Sequence, residues 1–146
     1  MDRPGDAPEP RAGHRSVPHT ADLRVEAWAP TREECLAQAV RGVCTAFLDL
    51  TGATPVRTRD HVVRAASDDD LLVALLDEVV YRLDTDGEVP VDTGLTAVPG
   101  GLHATFRMAD AASLPTIGAA PKAVTLHGLE CGPTPGGWAC AVTLDV

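Results

Sequence analysis

Two aspartates separated by most of the chain, Asp22 and Asp145, carry the clearest chemical potential in this sequence. Asp22 closes the run His19-Thr20-Ala21-Asp22 and opens the alternating stretch Leu23-Arg24-Val25-Glu26-Ala27-Trp28. Asp145 is followed by Val146, whose α-carboxyl group lies directly beside it. An aspartate next to a second carboxylate is a dense set of hard oxygen donors, suited to calcium or magnesium. Each residue also has a plainer reading. Asp22 can be a strand-end carboxylate met by backbone amides, and Asp145 part of a frayed acidic terminus.

Lys122 is the only lysine, beside eleven arginines. A chain that uses arginine elsewhere has reason to keep one compact, strongly hydrated ammonium where a point charge is needed. His127 follows five residues later, in Lys122-Ala123-Val124-Thr125-Leu126-His127-Gly128. His19 and His127 are open to three roles: metal ligand, proton carrier, or a ring held by ordinary hydrogen bonds. The sequence holds no Gly-rich phosphate loop, GxSxG, HExxH or EF-hand loop.

Four cysteines, Cys35, Cys44, Cys131 and Cys140, form two pairs nine residues apart. On a helix that spacing sets Cys35 and Cys44 on opposite faces, so they do not bridge. Cys131 and Cys140 can face each other across a hairpin, although a cytosolic chain keeps such thiols reduced. Without CxxC or Cys/His zinc spacing, all four read as small buried hydrophobes.

The elements that position these residues follow from patterning. Residues 1–13, rich in proline, glycine and charge, read as a disordered tail, with one domain over 14–146. A strand is expected over 15–28, ended by Pro30. Thr31 with Glu34 is a capping box for a helix whose stripe is Leu36, Ala39, Val40, Val43 and Phe47, running until Thr51-Gly52 and Pro55 stop it. A blurred strand over 57–66 precedes Ser67-Asp68-Asp69-Asp70, an acidic start for a helix with a wide Leu/Val face that Gly87 ends. Strands then flank Pro99-Gly100-Gly101, the second presenting Leu102, Ala104, Phe106 and Met108. A small-residue loop over 110–121 leads to a final hairpin, 122–131 with 138–146. The fold class is α+β, an α/β sandwich: two helices on a mixed, mostly antiparallel sheet, in the order β-α-β-α-β-β-β-β.

Composition narrows the function classes. The chain has 146 residues, 45% hydrophobic and 23% charged, with only 3% aromatic, so Val, Leu and Ala must build the core. A net charge of −9 argues against independent nucleic-acid binding and suits a basic partner. No apolar run approaches a membrane span, and the N-terminus lacks the apolar segment of a signal peptide, so the expectation is a cytoplasmic protein without membrane contact.

Taken together, His19-Thr20-Ala21-Asp22, Lys122-Ala123-Val124-Thr125 with His127-Gly128, and the closing Leu144-Asp145-Val146 resemble the archease family. Pro30-Thr31-Arg32-Glu33-Glu34 and Leu83-Asp84-Thr85-Asp86-Gly87 add to the resemblance, which spans roughly residues 14 to 146. It implies a small α/β protein that is not itself an enzyme. Its partner would be an RtcB-type RNA-splicing ligase, whose GTP-dependent guanylylation and multiple turnover it promotes, meeting RNA and GTP only through that ligase. It also implies a divalent-metal site, calcium first and magnesium second, built from Asp22, Asp145 and Val146, with Lys122, His19 and His127 as partner or phosphate contacts. The family often carries an aromatic where this chain has Leu126, and a more charged segment than the loop 110–121. Two other classes remain: a small metal-dependent phosphate-ester hydrolase using Asp22 and Asp145 to activate water, and a chaperone or ligand-binding module.

Overall fold

Alternation of apolar and polar residues dictates the first sheet. A computed structural model describes residues 11–18 and 22–146. Strand β1 (Gly13–Pro18) pairs antiparallel with β2 (Asp22–Ala29), Pro18 standing opposite Leu23 and Gly13 opposite Trp28. The single strand expected over 15–28 is therefore a hairpin. The punctuation was Pro18, which has no N–H to carry a ladder onward. Residues 1–10, most of the expected tail, lie outside the described residues, as does His19; Gly13, at the end of that tail, is already in β1.

Helix α1 (Arg32–Thr45) starts as expected: Thr31 Oγ1 accepts the Glu34 N–H at 3.2 Å and donates to Glu34 Oε1 at 3.1 Å. It ends at Thr45, six residues before the expected stop. Beyond it the backbone finds tertiary partners instead of helical ones: Ile117 N donates to Phe47 O, and Asp49 N to Pro115 O, both at 2.9 Å. Phe47 keeps its place in the core all the same. Strand β3 (Arg57–Arg64) leads into helix α2 (Asp68–Asp86). There Ser67 caps the Asp70 N–H, three aspartates fill the first turn, and Gly87 at φ +66° accepts the left-handed turn that an L side chain resists. Strands β4 (Glu88–Val98), β5 (Gly101–Asp110), β6 (Ala123–Thr134) and β7 (Gly137–Asp145) complete the chain, with one 3-10 turn (Ala111–Ser113) between β5 and β6.

The fold class is the expected one, two helices packed on antiparallel β structure. Two particulars differ. There are two sheets, ordered β1-β2-β7-β6 and β3-β5-β4, and every pairing among the described residues is antiparallel. The hairpin at the start adds one strand to the expected order. Helix α1 touches β1, β2 and β7 of the first sheet and β4 of the second; α2 touches β6, and β3 and β4. One core joins them, with Leu36, Val40 and Val43 of α1, Leu72, Leu75 and Leu76 of α2, Val25, Val142 and Leu144, and the expected Leu102, Ala104, Phe106 and Met108.

Glu88 is the one buried acid among the described residues, only 2% exposed. Arg59 grips it through Nε at 2.6 Å and Nη2 at 2.9 Å, and Arg57 Nη1 adds a bond at 2.6 Å. Both arginines reach across β5 from β3, so the network ties together the three strands of the second sheet. Hydrogen bonding from Arg59, then from Arg57, outweighs burial and holds the Glu88 carboxyl below the usual range. A depressed carboxylate stabilises the fold above its unfolded pKa, and that contribution disappears as pH falls through the folded value. Glu88→Gln should therefore cost about 1–2 kcal/mol at neutral pH, below the figure for a fully buried pair because the arginines keep solvent access. Urea melts from neutral to acid pH should show a wild-type acid loss below about pH 4 that is smaller in the variant.

Candidate metal centre at the strand ends

The register of the first sheet brings the two distant aspartates together. Asp22 and Asp145 are direct cross-strand partners on β2 and β7, followed inward by Leu23 opposite Leu144 and Val25 opposite Val142. Because those leucines and valines are buried in the core, Asp22 and Asp145 share the other face. Facing residues on neighbouring strands hold their Cβ atoms roughly 5 Å apart, and like charges in that arrangement repel. On the far side of β7, Ala123 stands opposite Asp145, and the Lys122 N–H donates to the Asp145 carbonyl at 2.8 Å.

Asp145 is exposed to solvent and Asp22 is half-buried. Asp22 Oδ1 is buried with no hydrogen-bond partner, a costly state for a carboxylate oxygen. The next cation on that face, Arg24, is turned away: its Nη1 donates to Gly128 O at 3.2 Å and its Nε lies 3.4 Å from Glu26 Oε2. Val146 packs its side chain against the core, as alternation after Leu144 requires. Among the described residues, no cluster of three or more His, Cys, Asp or Glu side chains converges as a metal cage. Two side-chain carboxylates plus main-chain oxygen are what this end of the sheet offers a cation. That donor set, with one buried oxygen unsatisfied, fits a hard divalent ion.

The other expected contacts are spread out. Lys122 is exposed just before β6 and reaches Asp145 through its backbone N–H. His127 lies further along, on a bulge where β6 carries three extra residues between Thr125 (opposite Thr143) and Glu130 (opposite Ala141). Its N–H is held by Thr125 Oγ1 at 3.3 Å, and Gly128 at φ +67° makes the turn of the bulge. Leu126, 71% exposed, projects from the same bulge. Sequence reading missed this bulge; its one signal was Gly128 inside an otherwise alternating run. The cysteines also regroup. Cys131 and Cys140 are cross-strand partners as expected, but Cys35 Sγ lies 3.7 Å from Cys140 Sγ, leaving Cys44 apart.

If the facing carboxylates repel, removing one charge stabilises the chain whenever divalent cations are absent. Asp145→Asn in chelator should melt later than wild type by the equivalent of roughly 0.2–1 kcal/mol. Thermal melts in low and high salt check the cause, because added salt should shrink the difference.

The chain matches the model of the archease protein family (MTH1598/TM1083) over residues 14–146. It is 57% identical over 139 residues to the "probable protein archease" of Mycobacterium tuberculosis strain H37Rv, covering 95% of this chain and 78% of that one. The protein archease of Methanosarcina barkeri is 26% identical, with 88% and 92% covered. Among solved structures, protein 1598 of Methanobacterium thermoautotrophicum aligns with a TM-score of 0.71 at 22% identity, over 92% of this chain and 99% of that one. An archease from Thermotoga maritima, described as a possible chaperone, aligns at 0.65 and 18%, over 89% and 94%. At those identities the two structures speak for the fold alone.

Proposed function

This chain belongs to the archease family, and from that membership we propose that it is a non-enzymatic activator of an RtcB-type RNA-splicing ligase. It promotes the ligase's GTP-dependent guanylylation and its multiple turnover. The observation that carries the reading is the facing pair Asp22 and Asp145, with Asp22 Oδ1 buried and unsatisfied. An ordinary strand end gains nothing from that arrangement.

In this proposal Asp22, Asp145 and the Val146 α-carboxylate hold a divalent ion, calcium in the first instance and magnesium in the second. When bound, the ion supplies the positive charge that lets these oxygens stay close. The chain's own residues do the rest. The Lys122 N–H fastens the main chain at Asp145, so the last strand presents its carboxylate in a fixed direction. The exposed Lys122 ammonium is a point charge for a phosphate or carboxylate of the partner. His127 and Leu126 stand out on the bulge of β6 as further contacts. His19, which precedes Asp22 by three residues, completes the set. A net charge of −9 suits docking on the basic surface that an RNA-handling enzyme must carry, with RNA and GTP met only through it.

Guanylylation of the cognate ligase, followed with labelled GTP, tests this directly. Wild type should accelerate labelling, and Asp22→Ala and Asp145→Asn should lose about tenfold or more of the stimulation. Lys122→Ala should weaken the dependence on activator concentration. Equal stimulation by all four proteins would sink the proposal. Metal-dependent phosphate-ester hydrolysis by the chain alone, lost in Asp22→Ala, would move the reading to an enzyme.

The third ligand has its own test. Residues fused after Val146 turn its α-carboxylate into a neutral amide, so calorimetric titration with calcium should show weaker binding. The same residues fused at the N-terminus should leave the titration unchanged. Identical isotherms would remove Val146 from the site.

A further inference from the structure

Away from the carboxylate pair, the described residues bring three of the four thiols together. Cys131 and Cys140 are direct partners across the β6–β7 hairpin, and Cys35 Sγ of α1 lies 3.7 Å from Cys140 Sγ. Facing residues of antiparallel strands hold their Cα atoms about 4.5–5.5 Å apart, inside the roughly 4.4–6.8 Å span of disulfides. All four cysteines are free thiols. They differ in access: Cys35, Cys44 and Cys140 are buried, whereas Cys131 is only half-buried. Cys131 and Cys140 also line a cleft of about 800 Å³, along with Arg15, Trp28, Glu130 and Thr134. Of these two thiols, Cys131 is the one with solvent access.

We propose that Cys131 and Cys140 form a reversible dithiol–disulfide pair, oxidised by hydrogen peroxide that enters through this cleft. In the first step the Cys131 sulfur attacks the peroxide. An S–O bond forms, the O–O bond breaks, and the departing oxygen leaves as water with the thiol proton. Cys131 is then a sulfenic acid. In the second step the Cys140 sulfur attacks the Cys131 sulfur. The S–S bond forms, the S–O bond breaks, and hydroxide leaves with the Cys140 proton as a second water. Two thiols have given two electrons to one peroxide. A dithiol reductant reverses the bond by exchange.

Each cysteine has a distinct part. Cys131 is the site of attack because it is the accessible thiol. Contact with the thiols of Cys131 and Cys35, then burial, pushes up the Cys140 thiol, so Cys140 is not the first thiol to react. Cys35 is wholly buried and meets the cleft only through Cys140. Cys44 is apart and inert, its thiol pushed up to about 12 by burial.

The test is thiol counting on the full chain at neutral pH with hydrogen peroxide, followed by alkylation in denaturant and peptide mapping. The free-thiol count should fall from four to two, with Cys131 linked to Cys140 and with Cys35 and Cys44 alkylated. Dithiothreitol should restore all four. Cys131→Ser should leave the remaining thiols free at the same peroxide dose, and its half-buried position makes it the variant least exposed to folding failure. Circular dichroism confirms that it folds. Cys140→Ser, where folded, should trap Cys131 as a dimedone-reactive sulfenic acid. A Cys35–Cys140 link, over-oxidised Cys131 beside free Cys140, or four thiols surviving excess peroxide would each overturn the proposal.

Discussion

Everything at the carboxylate end depends on the register between β2 and β7. Side chains alternate with a period of two, so a slip of one residue would carry Leu23, Val25 and Ala27 out of the core and Arg24 and Glu26 into it. The apolar partners Leu144, Val142 and Cys140 allow one alignment, the one that buries both sets together. Asp22 and Asp145 face each other as a by-product of that alignment. The unfavourable meeting of two charges is imposed by favourable burial further along the same strands, and the Lys122 N–H secures the main chain where it occurs.

The second sheet answers the same problem in the opposite way. Glu88 is a buried acid on a strand, where Asp22 is half-buried, and Arg57 and Arg59 come from the far strand to surround it. Its charge is satisfied within the chain and reads as part of the framework. Among the described residues Asp22 has no such neighbour; Arg24, on its own strand, spends its donors on Glu26 and on the Gly128 carbonyl of the bulge. That contrast between a matched acid and one with an unmatched buried oxygen is the ground for proposing a functional role for Asp22.

Local signals carried much of the fold. The caps at Thr31, Ser67 and Gly87 and the periodicity of the Leu/Val stripes lie where neighbouring residues decide the outcome, and both helices begin where those signals put them. What escaped was decided at long range. Helix α1 stops early because residues 47–49 bond to 115–117, a partner no window around Phe47 contains. The division into two sheets depends on how strands distant in sequence choose neighbours. The approach of Cys35 to Cys140 joins residues 105 positions apart. The hairpin is marked in the sequence by Pro18 alone, because the alternation on either side of it continues in phase. The facing of Asp22 and Asp145 could be expected only from the family resemblance, since no local pattern says which strand lies beside which.

The sheet order β1-β2-β7-β6 has a consequence for how the chain reaches this structure. Strand β7, last in sequence among the elements, is interior to its sheet, with β2 on one side and β6 on the other. Until it is made, the β1–β2 hairpin has an open edge, with α1 alone packed on its apolar face. A ribosome-bound chain can form α1, α2 and the second sheet early, because β3, β4 and β5 are close in sequence. The first sheet must wait for the final strand to insert between two others, a closure of high contact order and a slow one. The open edge of β2 is then the surface most exposed to mispairing during synthesis, and chaperone protection would matter most over that interval.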